Sequence, residues 1–130
     1  MIPRILVLIA LLFSASAALA TNVCGDISGV WDSTGSPYYV NCDVTVPAGQ
    51  TLEIRPGVQV LFTGHYKFNV FGNLQAIGTA QDSIVFTRAF PTEESKWAGI
   101  RVTSGLDTCT FEFCRIEYGK ATGGIPDFLV

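Results

Sequence analysis

Between Val44 and Thr87 the chain repeats one local pattern, a short alternation of apolar and polar residues that runs into a Gly or Pro-Gly corner. Val44-Thr45-Val46 meets Pro47-Ala48-Gly49, Leu52-Glu53-Ile54 meets Arg55-Pro56-Gly57, and Val58-Gln59-Val60-Leu61-Phe62 meets Thr63-Gly64. The pattern returns in Phe68-Asn69-Val70-Phe71 before Gly72, in Leu74-Gln75-Ala76 before Gly78, and in Ile84-Val85-Phe86-Thr87. Period-two alternation puts successive side chains on opposite faces of a strand, and Gly or Pro between such runs makes a sharp corner. Equivalent positions recur after roughly 22 to 25 residues: Val46 with Val70, Leu52 with Leu74, Val60 with Val85. Three short strands per repeat with no helix between them predict an all-β solenoid, a β-helix in which each coil buries its apolar face only against its neighbours.

The segments around this stretch are its leader, its cap and its continuation. Met1 to Ala20 has Arg4, an apolar run from Ile5 to Phe13, and small residues ending Ala18-Leu19-Ala20. That order predicts a signal peptide over 1–20 and a secreted or cell-surface protein, with no membrane span once the leader is cleaved. The mature chain then carries seven basic and eleven acidic residues without a basic cluster, which excludes nucleic acid and anionic membrane surfaces as partners. Thr21 to Asn41 is broken by Gly25, Gly29, Gly35 and Pro37 yet holds Ile27, Val30, Trp31, Tyr38, Tyr39 and Val40. It is predicted to be an irregular N-terminal cap, 21–42, covering the apolar end of the first coil. Its aromatics Trp31, Tyr38 and Tyr39 are also candidates for stacking on sugar rings.

Residues 43–130 would then form about three to four coils, with Arg88 to Lys96 a charged loop bulging from one corner. Alternation resumes at Trp97 and runs again from Cys109 to Tyr118. The apolar ending Phe128-Leu129-Val130 leaves the last predicted coil without a polar cap. The expectation is a truncated product, or an open coil that self-associates or docks a partner.

An exported chain meets oxidising conditions, so its four cysteines are disulfide candidates before they are metal ligands. Cys24 and Cys42 flank the predicted cap, and a bridge there would staple it. Cys109 and Cys114 bridge only across a tight bend, because an extended strand holds them too far apart; their pairing stays open. With His65 the single histidine and no C-x-x-C spacing, no zinc site is expected.

Several segments resemble the start of bacterial right-handed parallel β-helix repeat proteins that are secreted or displayed at the cell surface. The resemblance rests on Ser36 to Val40, Asp43 to Val58, Gly64 to Val70, Gly72 to Thr79, Asp82 to Thr87, Trp97 to Ile100 and Cys114 to Gly119. It implies a right-handed parallel β-helix and, for function, a non-catalytic extracellular scaffold or adhesin-like module contacting cell-surface polysaccharide, or joined to further coils of a longer chain. The alternative is the N-terminal fragment of a polysaccharide lyase or glycoside hydrolase of the same fold, with its catalytic coils missing.

The residues themselves favour the first. A glycosidase needs two carboxylates at a set separation, one of them kept protonated by its surroundings. No Asp-Asp pair of that kind occurs among the eleven acids. Glu112, Arg115 and Glu117 are the nearest approach to a lyase set, but on one straight strand Glu112 lies opposite the other two. His65 with Lys67 reads as a surface turn, and Asn73 as an inward ladder residue or a left-handed turn. G-x-S-x-G, G-x-x-x-x-G-K and G-x-G-x-x-G motifs are absent. No catalytic residue and no cofactor are expected.

Overall fold

The computed structural model describes residues 20–103 and 109–120. Residues 1–19 of the predicted signal peptide, 1–20, and the predicted open end on 121–130 lie outside the described residues. Eleven strands follow one another: β1 (Thr21–Asp26), β2 (Gly29–Trp31), β3 (Tyr38–Val46), β4 (Thr51–Ile54), β5 (Gln59–Phe62), β6 (Phe68–Val70), β7 (Asn73–Ile77), β8 (Ile84–Arg88), β9 (Ile100–Val102), β10 (Cys109–Glu112) and β11 (Cys114–Ile116). One short 3-10 turn, Glu93–Ser95, interrupts the loop between β8 and β9. Each Gly or Pro-Gly corner named above ends a strand, and Gly49 and Gly57 take the positive φ that such corners require.

Every strand pairing among the described residues is parallel. The pairings make a seven-stranded sheet in the order β11-β8-β5-β3-β6-β9, with β1 on the free side of β3, and a four-stranded sheet in the order β10-β7-β4-β2. This corrects the expected architecture. The chain is all-β with parallel strands, but the two sheets curl into a half-barrel and do not form the right-handed parallel β-helix solenoid. The deciding element is β3. It runs nine residues straight through Asn41-Cys42-Asp43, where a boundary between cap and coils was expected. Its first half pairs with β5 and its second half with β6, so two expected faces fuse into one curled sheet. The predicted irregular cap, 21–42, holds β1, β2 and the start of β3, because Thr21–Asp26 finds a partner in β3, with one register break between Val23 and Gly25.

Two of the three predicted equivalences are direct partners, Val46 with Val70 and Leu52 with Leu74. The third is displaced by one: Val60 pairs with Phe86, and Val85 with Gln59. A one-residue slip exchanges the faces of a strand, and Phe86 is accordingly the residue that enters the core.

The core is built of columns of side chains repeated from strand to strand. Val44, Phe68 and Ile100 make one, and Val46, Val70 and Val102 another. Leu52, Leu74 and Cys109 make a third, and Trp31, Ile54, Ala76 and Phe111 a fourth. An aromatic spine crosses them. The Trp31 and Tyr38 rings stack at 4.5 Å, Phe62 stacks on Trp97 at 4.1 Å, and Phe68 meets Trp31, Phe62 and Phe86 edge-on. Fully burying each such side chain is worth about 1.5–3 kcal/mol, and the edge-on pairs add roughly 0.5–1.5 kcal/mol apiece. Trp97 is wholly buried, and its indole N–H donates to the Glu117 carbonyl at 2.8 Å.

Polar links fasten the outside. Asn41 donates to the Asn22 side-chain oxygen at 3.1 Å and accepts from the Thr63 hydroxyl at 2.9 Å, a ladder across successive strands. Cys24 and Cys42 form a disulfide across the β1–β3 pair, Cα–Cα 5.1 Å. Cys109 and Cys114 are not bridged to each other; they stand on β10 and β11, on either side of a corner at Phe113. Among the described residues no helix is long and apolar enough to cross a membrane.

Candidate functional site

The outer face of the four-stranded sheet carries a groove of about 530 Å³, lined chiefly by Glu53, Arg55, Pro56, Gln75, Ile77 and Thr79. Its floor follows from the alternation in β4 and β7. Leu52, Ile54, Leu74 and Ala76 point into the core, so Glu53, Gln75 and Ile77 must point out. Parallel register sets Glu53 beside Gln75 and Gln75 beside Thr110.

Two internal contacts fix the polar atoms of this face. Arg55 Nε donates to Glu53 Oε2 at 2.7 Å. That hydrogen bond, helped by the Glu53 and Asp32 charges, raises the Arg55 guanidinium above its ordinary value. Gln75 Nε2 donates to Asn73 Oδ1 at 2.9 Å, which leaves the Gln75 carbonyl oxygen turned to acceptor work. The face therefore presents carboxylate, guanidinium and amide groups in a row, with the exposed Ile77 beside them.

The corner between β10 and β11 abuts the Gly78 end of the groove. Gly78 N donates to Glu112 O at 2.8 Å, and Ile84 N donates to Phe113 O at 3.0 Å. Phe113 has φ 51, in the left-handed region, and its side chain is 58% exposed. Gly78 is required beneath it, since a Cβ there would lie 2.8 Å from the Phe113 carbonyl oxygen.

The residues singled out from the sequence are distributed differently. Trp31 and Tyr38 are core residues at 6% exposure each, and the Tyr38 hydroxyl is engaged with the backbone of Asp32. They offer no ring face to a sugar. Tyr39 is half-buried on the outer side of β3, beside Leu61 and away from the groove. Glu112 is separated from Arg115 and Glu117 by the Phe113 corner and belongs to the other sheet, so the three do not converge; Arg115 instead pairs with Glu117 at 3.5 Å. Asn73 is not an inward ladder residue, because Leu74 takes the inward position next to it. His65 sits exposed at its corner, its Nδ1 3.0 Å from the Lys96 carbonyl oxygen. No group of three or more His, Cys, Asp or Glu side chains capable of holding a metal occurs among the described residues.

Comparison with known proteins gives a local likeness. The chain is 42% identical over 50 residues to Protein bark beetle of Drosophila melanogaster, a match covering 38% of this chain and 2% of that protein. The chain thus spans a very small part of the relative it matches. No family model matches, and no solved structure does.

Phe113 and the groove were missed by sequence reasoning. The signal was present as a change of parity. Cys109 and Phe111 are the inward residues of one run and Cys114 and Ile116 those of the next. That switch from odd to even needs a corner between them.

Proposed function

We propose that this chain is a non-catalytic, adhesin-like scaffold module of an exported protein, contacting cell-surface polysaccharide through an outer sheet face. The observation that carries this reading is the state of its carboxylates. A general acid at a glycosidic bond needs its proton affinity raised. Here the displaced carboxylates move the other way. Asp32 is lowered, first by the Thr34 hydroxyl and then by the Thr34 amide. Glu93 is lowered by its hydrogen bond with Lys96. Glu53, the carboxylate of the groove, is tied to Arg55. Held by hydrogen bonds and ion pairs, these side chains are suited to contacting a ligand or a surface. The Cys24–Cys42 disulfide supports export, since such bridges persist in oxidising compartments.

The test is affinity electrophoresis of the exported, disulfide-bonded chain through gels containing xylan, mannan, glucan or pectin, with a parallel assay for new reducing ends. The expected result is retardation by at least one polymer and no cleavage. Release of reducing ends, or unchanged mobility in every gel, refutes the reading.

A further inference from the structure

We infer that the groove on the four-stranded sheet binds a neutral oligosaccharide, with Phe113 as its aromatic contact. This rests on the reading of the chain as a polysaccharide-contacting module, and adds the place and the class of sugar.

Three observations converge. First, Phe113 is a costly residue where it stands. A bulky L-residue in the left-handed region is disfavoured by roughly 1–2 kcal/mol against glycine, and Asn is tolerated there. Burial does not compensate, because most of the side chain is in solvent. Strain of this kind at an exposed position points to use of the side chain outside the protein. Second, the corner that holds Phe113 is hydrogen-bonded directly to the Gly78 end of the groove. The Phe113 corner therefore borders the Gly78 end of the polar row. Third, that row suits hydroxyl groups. A sugar hydroxyl both donates and accepts. Glu53 and Gln75 supply acceptors, Arg55 supplies donors, and all are held in place by Arg55–Glu53 and Gln75–Asn73 contacts. Ile77, 40% exposed, offers an apolar patch to the C–H face of a ring.

Charge selects the class. Glu53 and Arg55 cancel, and the exposed Glu112, in register with Ile77, leaves a negative rim. A uronate or sulfated sugar would meet repulsion there without a compensating free cation in the groove.

The experiment is a titration of the exported, isotope-labelled chain with xylohexaose, cellohexaose and mannohexaose, and with trigalacturonate as the anionic counterpart, followed by amide chemical shifts. Shifts are expected at Glu53, Gln75, Ile77 and Gly78 with a neutral hexaose, at millimolar concentration. Phe113→Asn keeps the backbone conformation and removes the ring; it should weaken binding at least fivefold while leaving the unfolding midpoint unchanged or higher. Gln75→Ala, a surface change, should weaken it comparably, and decides the matter should Phe113→Asn not fold. Tighter binding of trigalacturonate, shifts confined to another face, no shifts with any neutral hexaose, or unaltered affinity in both variants overturns the inference. A chain retarded by polysaccharide gels but unshifted in the groove would overturn this site alone.

Discussion

Gly72 makes a severe demand on the fold. It follows β6 and precedes β7, and it is buried. A Cβ at this position would be driven into the carbonyl oxygens of Pro47 and Gln50, both backbone atoms with no freedom to rotate away. Relief requires the corner to move outward by roughly 1 Å, since a Cβ needs more than 3 Å from such an oxygen. The same corner holds Gly72 N to Val46 O at 3.1 Å, Phe71 N to Val46 O at 2.9 Å and Asn73 N to Gln50 O at 2.9 Å. Losing two of these costs about 1–3 kcal/mol each where the groups stay buried, and the overpacking adds about 1–3 kcal/mol. Gly72→Ala should therefore destabilise by about 3–9 kcal/mol, a large share of an ordinary domain's total. Gly49→Ala meets open space but keeps φ +81, so its cost should be about 1 kcal/mol. Gly119→Ala meets only Trp97 at 3.9 Å and has no positive φ, so it should lie within about 0.5 kcal/mol of the parent. Urea unfolding of the three disulfide-intact variants measures the series. A Gly72→Ala protein within 1 kcal/mol of the parent, or a Gly119→Ala protein as damaged as Gly72→Ala, would refute the steric argument.

Replacing both Cys24 and Cys42 by Ser removes a bridge with a sequence separation of 18, and loop-closure entropy puts the loss near 3 kcal/mol; a urea midpoint unchanged at constant slope would contradict this. Leu74→Asp places a carboxylate at a wholly buried position between Leu52 and Cys109 and should abolish the β-sheet circular dichroism spectrum, whereas Gln59→Ala on the exposed face should change stability by less than about 0.5 kcal/mol. Glu93 bridges Lys96 at 2.9 Å and Lys120 at 3.6 Å, and its depressed proton affinity gives a contribution that is complete above the usual value of 4.5 and lost as pH falls through the lower folded value. The hydrogen-exchange protection factor of the Lys120 amide, which donates to Trp97 O, should fall in that acid range. In Glu93→Gln the protection factor should start lower and stay flat with pH; a pH response of protection unchanged by that substitution would remove Glu93 from the account.

Much of this organisation is legible in the sequence because the signal is local. Strand positions follow from alternation, and corners from Gly49, Gly57 and Gly72, so the inward set Val46, Val70, Leu52 and Leu74 could be read directly. Sheet membership could not. Whether the Asn41-Cys42-Asp43 run bends or stays extended depends on hydrogen bonds from β1, β5 and β6, which no window of a few residues contains, and that choice converts separate faces into one curled sheet. The same limit explains Trp31 and Tyr38. Aromatic residues in a Gly-broken segment could serve a cap or a sugar until β2 and β3 stack Trp31 on Tyr38 and set Trp31 against Phe68. Phe113 was hidden for the opposite reason: the run from Cys109 to Tyr118 alternates well enough to pass for one strand, and only the parity of its partners reveals the corner.

The loop between β8 and β9 shows how this fold separates length from register. Val44, Phe68 and Ile100 stand in one column, although the second interval contains the whole Ala89–Lys96 excursion and the first has nothing like it. Extra residues at a corner spend only closure entropy, which grows slowly with length, while the pairing of β6 with β9 is untouched. The excursion is tied down at its far end by Ser95 and Trp97, leaving the exposed Phe90-Pro91 tip facing solvent. That tip is a natural graft point: a foreign epitope or a protease site spliced there would be displayed on a rigid parallel-stranded base without moving a single core column.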